Sequence, residues 1–322
     1  MQAVVFEEPG NPLEVLGVRD VPVPAPAPGQ VLVRVAARPI QPADFLFIGG
    51  RYRIKPGSPQ VAGLEGAGTI VACGPGVGGF EPGERVAFRS PGAWAEFAVA
   101  AASRVYRVPP SVADPVACQF SLNPVTAWGL LAECNLASSS RVLVTAGRSQ
   151  VAGILSRLAL LRGLEVTLLV RDGAGYVALD ARTQRAISRQ ATLSETLQGA
   201  IGNGRFHAIL DAVGGAATVA LINALEPRGR LISYGILDDG DITLKASQIL
   251  FGNVTWQGFG IDGWLEHASA GQLESAQHGL WALLAEEPGL LPVAGSFSLA
   301  NVAEAIRVVQ ENTQRGKVLL VG

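Results

Sequence analysis

The chain is poor in metal ligands, in thiols and in charge of either sign. Its three histidines, His207, His267 and His278, all lie in the second half, and its three cysteines, Cys73, Cys118 and Cys134, form no CxxC. A catalytic zinc needs three converging nitrogen or sulfur side chains and an open fourth position, so zinc chemistry is not expected. The six residues read as buried thiols and ordinary histidines. An odd, widely spaced set of cysteines fits a reducing compartment better than a disulfide framework, and the cytoplasm is the expected location. With 25 basic against 27 acidic residues and a pI near 6.0, no field favours nucleic acid or an anionic membrane, and neither is an expected partner. Long apolar runs are missing too. The mean hydropathy is positive, yet Gly, Pro or charge interrupts every stretch before membrane-spanning length. The opening MQAVVFEEPG has no basic leader, so no signal peptide is expected.

What is present is a chain of 322 residues, long enough for two domains and a large core. Its most informative stretch is 141–171, RVLVTAGRSQVAGILSRLALLRGLEVTLLVR. Arg141 to Thr145 and Glu165 to Val170 are nearly unbroken apolar runs, the pattern of parallel strands covered on both faces. Between them Val151, Ile154, Leu155, Leu158 and Leu161 recur at helical spacing, and Gly163 stands where such a helix stops. Together they make a βαβ unit, the opening of a doubly wound sheet. The first turn of such a sheet can hold a pyrophosphate on free backbone N–H groups. Here that turn is TAGRSQVAG, with Gly147 and Gly153 retained but Gln150 and Ala152 where tighter turns carry glycine. By itself it fits a nucleotide site or a plain α/β connection. Arg171 follows the second strand, where an NAD-preferring unit carries an acid. It suits a 2′-phosphate, or it is a surface arginine with Asp172 beside it.

Residues 1 to about 115 read as all-β. Short runs such as MQAVVF, QVLVRVAA and GAGTIVACG are separated by Pro/Gly turns, the texture of a small barrel. From Asp114 the period becomes helical and leads into the βαβ unit. After its second strand a less ordered helical region is expected, then strand FHAILD, a helix, strand GRLISYG and a last strand within residues 254–259. Helices and a strand, KVLLV, complete the chain. The reading is α/β with two domains, residues 1–115 with 262–322 and residues 116–261, and a cleft between them.

The segments PADFLFIGGRYRIKP, VAGLEGAGTIVACGPGV, SLNPVTAWGLL, LDAVGG, LISYG, QILFGNVTWQGF and GKVLL occur in this order and spacing. Through them the chain resembles the medium-chain dehydrogenase/reductase superfamily over essentially its whole length. Within it, the chain is most similar to the zinc-independent 2-enoyl thioester reductases, and next to the quinone oxidoreductases. The zinc-dependent branch has a histidine where this chain has Leu64. The resemblance implies a GroES-like β-barrel catalytic domain and a Rossmann domain with a doubly wound parallel sheet that holds NADPH. It also implies reduction of an activated C=C bond, in a 2-enoyl thioester on coenzyme A or acyl carrier protein. Hydride goes to the β-carbon and a proton to the α-carbon.

Carried over residue by residue, the resemblance gives Tyr52 the proton delivery; by residue type alone Tyr52 is a loop aromatic, and its register decides. Asn123 and Thr126 match a pair that lines the cleft, against the simpler reading of an N-cap and a helix side chain. Gly147, Arg148, Ser149, Gln150 and Val151 form the cofactor turn, and Arg171 meets the 2′-phosphate. Tyr234 and Gly235 match the strand end beside the nicotinamide. Lys317 matches a basic residue that reaches the adenosine phosphate, or it is a solvated lysine. Phe259 and Gly260 shape the acyl pocket, with Gly260 where many thioester reductases place a bulky aromatic. A homodimer through the apolar edge strand VTWQGF is expected as well, because such an edge is a liability when exposed. Two other readings stay open. A quinone oxidoreductase can protonate its product from solvent and has no need of Tyr52, and a non-catalytic relative can keep the fold without the chemistry.

Overall fold

The structure, a computed structural model, describes residues 1–202, 204–311 and 316–322. It divides into two units, Met1–Asn123 with Glu274–Gly322, and Pro124–Leu273. The first crossing falls at Asn123 because the residues just before it are tied to the first unit. Ser121 Oγ lies 2.9 Å from the Phe88 carbonyl, and Gln119 Nε2 donates to the Leu291 carbonyl at 3.3 Å.

In the first unit the strands follow the order Val293–Ser298, Lys317–Val321, Gln30–Pro39, Glu65–Cys73, Arg85–Arg89 and Val105–Arg107. The long strand Gln30–Pro39 serves three partners: Phe97–Ala101 along its first half, Glu65–Cys73 along most of its length, and Lys317–Val321 at its end. Register shifts along it allow this sharing and curl the sheet. Val31, Val33 and Val35 alternate into a core with Ile70, Val86 and Phe88, as the period of two predicts. A second core gathers Phe6, Phe47, Ile48, Leu64, Trp94 and Leu320.

The all-β expectation for this region needs correcting, since a short helix covers Pro12–Val15 and a longer one follows the strand Gln30–Pro39. PADFLFI is a helix, Pro42–Ile48. Pro42 suits a first helical turn, and the Gln41 N–H donates to the Asp44 carboxylate at 2.7 Å, one half of a capping box.

In the second unit five parallel strands lie in the order Glu165–Asp172, Arg141–Val144, Phe206–Asp211, Leu225–Ser233 and Thr255–Gly258. The helix Gln150–Leu161 joins the first two, buries Ile154, Leu155 and Leu158, and stops before Gly163, whose φ is 75°. This is the doubly wound core that the apolar runs predict. The expected helical region after Glu165–Asp172 is helical only in its second half. First the strands Gly175–Asp180 and Ala186–Gln190 fold back antiparallel and extend the sheet at that edge, and only then does the helix Leu193–Ala200 follow. Asp172 pairs with Gly175 across a two-residue loop. Gly173 sits in its first position with φ 58°, where type II′ hairpins demand glycine. The helix is tied to the hairpin by Thr196 Oγ1, which donates to the Tyr176 carbonyl at 3.3 Å.

The opposite edge is the short strand Thr255–Gly258. Trp256 on it is 40% exposed, and Leu250 and Phe251 just before it are 70% and 83% exposed. Among the described residues no helix is long and apolar enough to cross a membrane.

Candidate functional site

In the first unit a line of polar groups connects Tyr52 with Asn123. Tyr52 follows the helix Pro42–Ile48, and its backbone N–H donates to the Leu46 carbonyl at 3.0 Å, which folds the chain back on the helix end. The ring is half-buried against the Phe47 and Leu64 core. Its hydroxyl accepts a hydrogen bond from Arg89 Nη2 at 3.2 Å. Arg89 ends the strand Arg85–Arg89, is 8% exposed, and stands directly opposite Glu65 across the sheet.

Glu65 is buried too. It accepts from Gln41 Nε2 at 2.6 Å and from Ser121 Oγ at 2.9 Å. Gln41 Oε1 in turn accepts from Asn123 Nδ2 at 3.2 Å. Tyr52 is thus bonded to Arg89, and Asn123 through Gln41 to Glu65, while Arg89 and Glu65 are paired across neighbouring strands and act on each other through their charges.

The charges in this network are shifted by burial. Desolvation raises the Glu65 carboxyl above its usual range, opposed by the bonds from Gln41 and Ser121 and by the charges of Arg89 and Lys317. Asp44 is pushed up to about 8 by burial, with the Gln41 N–H pulling the other way. Burial lowers Lys317, and Glu65 and Asp44 hold it up. Lys317 opens the strand Lys317–Val321, and its electrostatic partners are these two carboxylates. Its charge lies where the two buried acids can use it.

In the second unit the cofactor turn is held against the strand Glu165–Asp172. Gly147 N–H donates to the Leu169 carbonyl at 2.9 Å. A Cβ on Gly147 would stand 2.8 Å from Leu168 Cβ and 3.1 Å from the Leu169 oxygen, so this approach needs glycine. Ser149 caps the helix Gln150–Leu161, its Oγ accepting from the Ala152 N–H at 3.2 Å. Gln150 and Val151 begin that helix, and Arg148 is exposed beside the turn.

Asp211 closes the adjacent strand. Fully buried, it accepts from Thr145 Oγ1 at 2.7 Å, Val213 N–H at 3.0 Å and Gly214 N–H at 3.1 Å. Tyr234 N–H donates to the Asp211 carbonyl at 2.8 Å. The Tyr234 hydroxyl is buried and makes no hydrogen bond of ordinary length. Burial and Asp211 raise it, while the Ser149 hydroxyl acts against them. Gly235 lies against the Ala212 backbone.

The second unit thus brings Gly147, Ser149, Tyr234 and Gly235 together at the carboxyl ends of parallel strands, where doubly wound sheets hold dinucleotides. The close turn, the capped helix start and the spare buried hydroxyl fit such a group. Arg171 is exposed on the same strand end, opposite Tyr176 of the hairpin. Thr126 is buried on the helix Asn123–Cys134. Phe259 packs against that helix at Gly129, one turn on from Thr126, and Gly260 faces open space.

Sequence reasoning did not single out Gln41, Glu65, Arg89, Ser121, Thr145 or Asp211. Glu65 had a signal, an acid opening the otherwise apolar, small-residue strand EGAGTIVAC. Asp211 had one in ending a buried strand before two glycines. Arg89 had none.

The chain matches the alcohol dehydrogenase GroES-like domain over residues 27–110 and the zinc-binding dehydrogenase family over residues 173–320. Among the described residues no group of three or more His, Cys, Asp or Glu side chains is placed to hold a metal. The donor set does not fit the zinc of that description. A mitochondrial enoyl-[acyl-carrier-protein] reductase of Arabidopsis thaliana is 30% identical over 275 residues, 82% of this chain and 73% of that protein. The enzyme of the same name from Xenopus tropicalis is 29% identical over 272 residues, 82% and 78% of the two chains. Among solved structures, a mycobacterial quinone oxidoreductase superposes with a TM-score of 0.84 at 25% identity over 100% of both chains. A mycobacterial protein complexed with NADPH gives 0.84 at 26% identity, again over 100% of both.

Proposed function

We propose, from the premise that this chain is an oxidoreductase belonging to the medium-chain dehydrogenase/reductase superfamily, that it reduces the activated C=C bond of a 2-enoyl thioester. NADPH, when bound, supplies the hydride. In this reading Gly147 and Gly235 let the turn and the strand end pack closely on Leu168, Leu169 and Ala212 and so shape the dinucleotide site, and Ser149 and Tyr234 offer it hydroxyls. Arg148 and Arg171 supply positive charge for its phosphates. Tyr52 gives its proton to the α-carbon, while Asn123 and Thr126 orient the substrate, with Phe259 and Gly260 bounding the acyl chain. A phenol is a weak acid, but an enolate is basic enough to take its proton.

The observation that supports this reading best is the setting of Tyr52, half-buried, its oxygen held by a cation and its register joined through Glu65 and Gln41 to Asn123. The test is oxidation of NADPH with crotonyl-CoA, a longer 2-enoyl-CoA and a simple quinone offered in parallel. Turnover of the thioesters, with kcat lowered about 10²- to 10⁴-fold in Tyr52→Phe, the usual size of a proton-transfer contribution, supports it. Turnover of quinone alone, unaffected by Tyr52→Phe, favours the second reading, a quinone oxidoreductase, which the structural neighbour of that name supports. No binding of either nicotinamide cofactor in a calorimetric titration removes both and leaves a non-catalytic relative. The proposed state is a homodimer paired along the edge strand Thr255–Gly258, and the proposed location is the cytoplasm.

A further inference from the structure

We propose that Arg89 is a positioning residue for the proton transfer, holding Tyr52 so that its one hydroxyl proton is turned away from the guanidinium and its oxygen can carry negative charge. The inference rests on the enoyl reductase reading and adds to it a residue that the reading does not contain.

Its basis is the direction of one hydrogen bond. A guanidinium has five N–H donors and no acceptor, and it keeps its charge at any physiological pH. In the 3.2 Å contact between Arg89 Nη2 and Tyr52 Oη, the phenol oxygen is therefore the acceptor. The phenol has only one proton, and this contact leaves it free to be donated elsewhere. A carboxylate or carbonyl in the place of Arg89 would do the opposite, taking up that proton and withholding it.

The surroundings fix the arrangement. Arg89 is 8% exposed and sits directly opposite Glu65, whose carboxylate is itself held by Gln41 and Ser121. Arg89 is placed by its strand with the Glu65 charge acting on it, and Tyr52 is placed by the bond from its N–H to the Leu46 carbonyl and by its packing on the core. Charge-assisted hydrogen bonds in such surroundings are about twice as strong as neutral ones.

The step balances as follows. Once the β-carbon of the substrate has received the hydride, the enolate electron pair forms a C–H bond at the α-carbon with the Tyr52 proton. The O–H bond breaks and its electron pair stays on the phenolate oxygen, paired with the Arg89 guanidinium. Solvent water then returns a proton to the phenolate.

The experiment is a double-mutant cycle on turnover of crotonyl-CoA with NADPH. Arg89→Gln is expected to lower kcat about 10- to 100-fold, the worth of a hydrogen bond to a charged group, with a smaller change in KM. Arg89→Lys is expected to restore part of kcat. In a Tyr52→Phe background, Arg89→Gln is expected to cost little more, because there is then no phenolate to hold. Arg89→Gln removes one of the two cations that act on Glu65, the other being Lys317, so the pair Arg89→Gln with Glu65→Gln is measured alongside, and NADPH binding by each variant reports the fold. Equal losses from Arg89→Gln with and without Tyr52, or no recovery with lysine, overturn the role of Arg89. Absence of thioester turnover in the unaltered protein overturns the enoyl reductase reading instead.

Discussion

At the residue scale, the unusual investment is a cluster of ionisable groups in the barrel unit, Asp44, Glu65, Arg89 and Lys317. Burial raises Asp44 to about 8, well above an unfolded aspartate near 4. A carboxyl raised by folding binds more protons in the folded state than in the unfolded one, so stability falls as pH rises from about 4 to about 8. Glu65 is shifted in the same direction. Lys317, lowered below its ordinary 10.5, has the opposite sign in a more alkaline window. Thermal melts between pH 5 and pH 8 should therefore show a fall in Tm that is smaller in Asp44→Asn than in the unaltered chain. Equal slopes would mean that Asp44 is ionised in the fold, with Lys317 compensating it. Little of this cluster was legible in the sequence. PAD and GLEGAG were recognisable as segments, but a residue's pairing across strands depends on register, and register joins Glu65 to Arg89 over 24 positions of chain. The acidic neighbours of Lys317 are hidden for the same reason: a lysine opening a final strand gives no sign of what lies beside it.

At the scale of elements, the cofactor turn separates two glycines that look alike in the sequence. Gly147 leaves no room for a side chain, whereas a Cβ on Gly153, inside the helix Gln150–Leu161, would meet nothing within 4 Å. Gly147→Ala is expected to cost about 1 to 3 kcal/mol through overpacking and to weaken NADPH binding. Gly153→Ala is expected to add about 0.5 to 1 kcal/mol through helix entropy. Denaturant unfolding of both variants checks the pair, and a loss of stability in Gly153→Ala would contradict it. The βαβ unit itself was readable because each strand is covered on both faces and the helix is amphipathic, so burial dictates composition. The hairpin after it was missed although Asp172 and Gly173 are a strong turn signal. Its strands are only partly buried, with Gly175–Asp180 and Ala186–Gln190 keeping half or fewer of their residues inside, so burial imposes little strand pattern on them.

For the whole molecule, the proposed pairing of two chains makes a definite statement about mass. Leu250 and Phe251 are 70% and 83% exposed beside the edge strand Thr255–Gly258, and an open edge with apolar neighbours is a template for pairing. Light scattering should give twice the chain mass for the unaltered protein and the single mass for Leu250→Ser with Phe251→Ser. The doubled mass in that variant would move the interface elsewhere. The opposite edge has a different history available to it. The strands Gly175–Asp180 and Ala186–Gln190 are joined to the sheet by contacts close in sequence, while the five parallel strands beside them must wait for distant segments to meet. Local contacts close quickly and parallel crossovers slowly, so the hairpin is a piece that can form before the parallel core has set. It can also vary in length without rethreading that core.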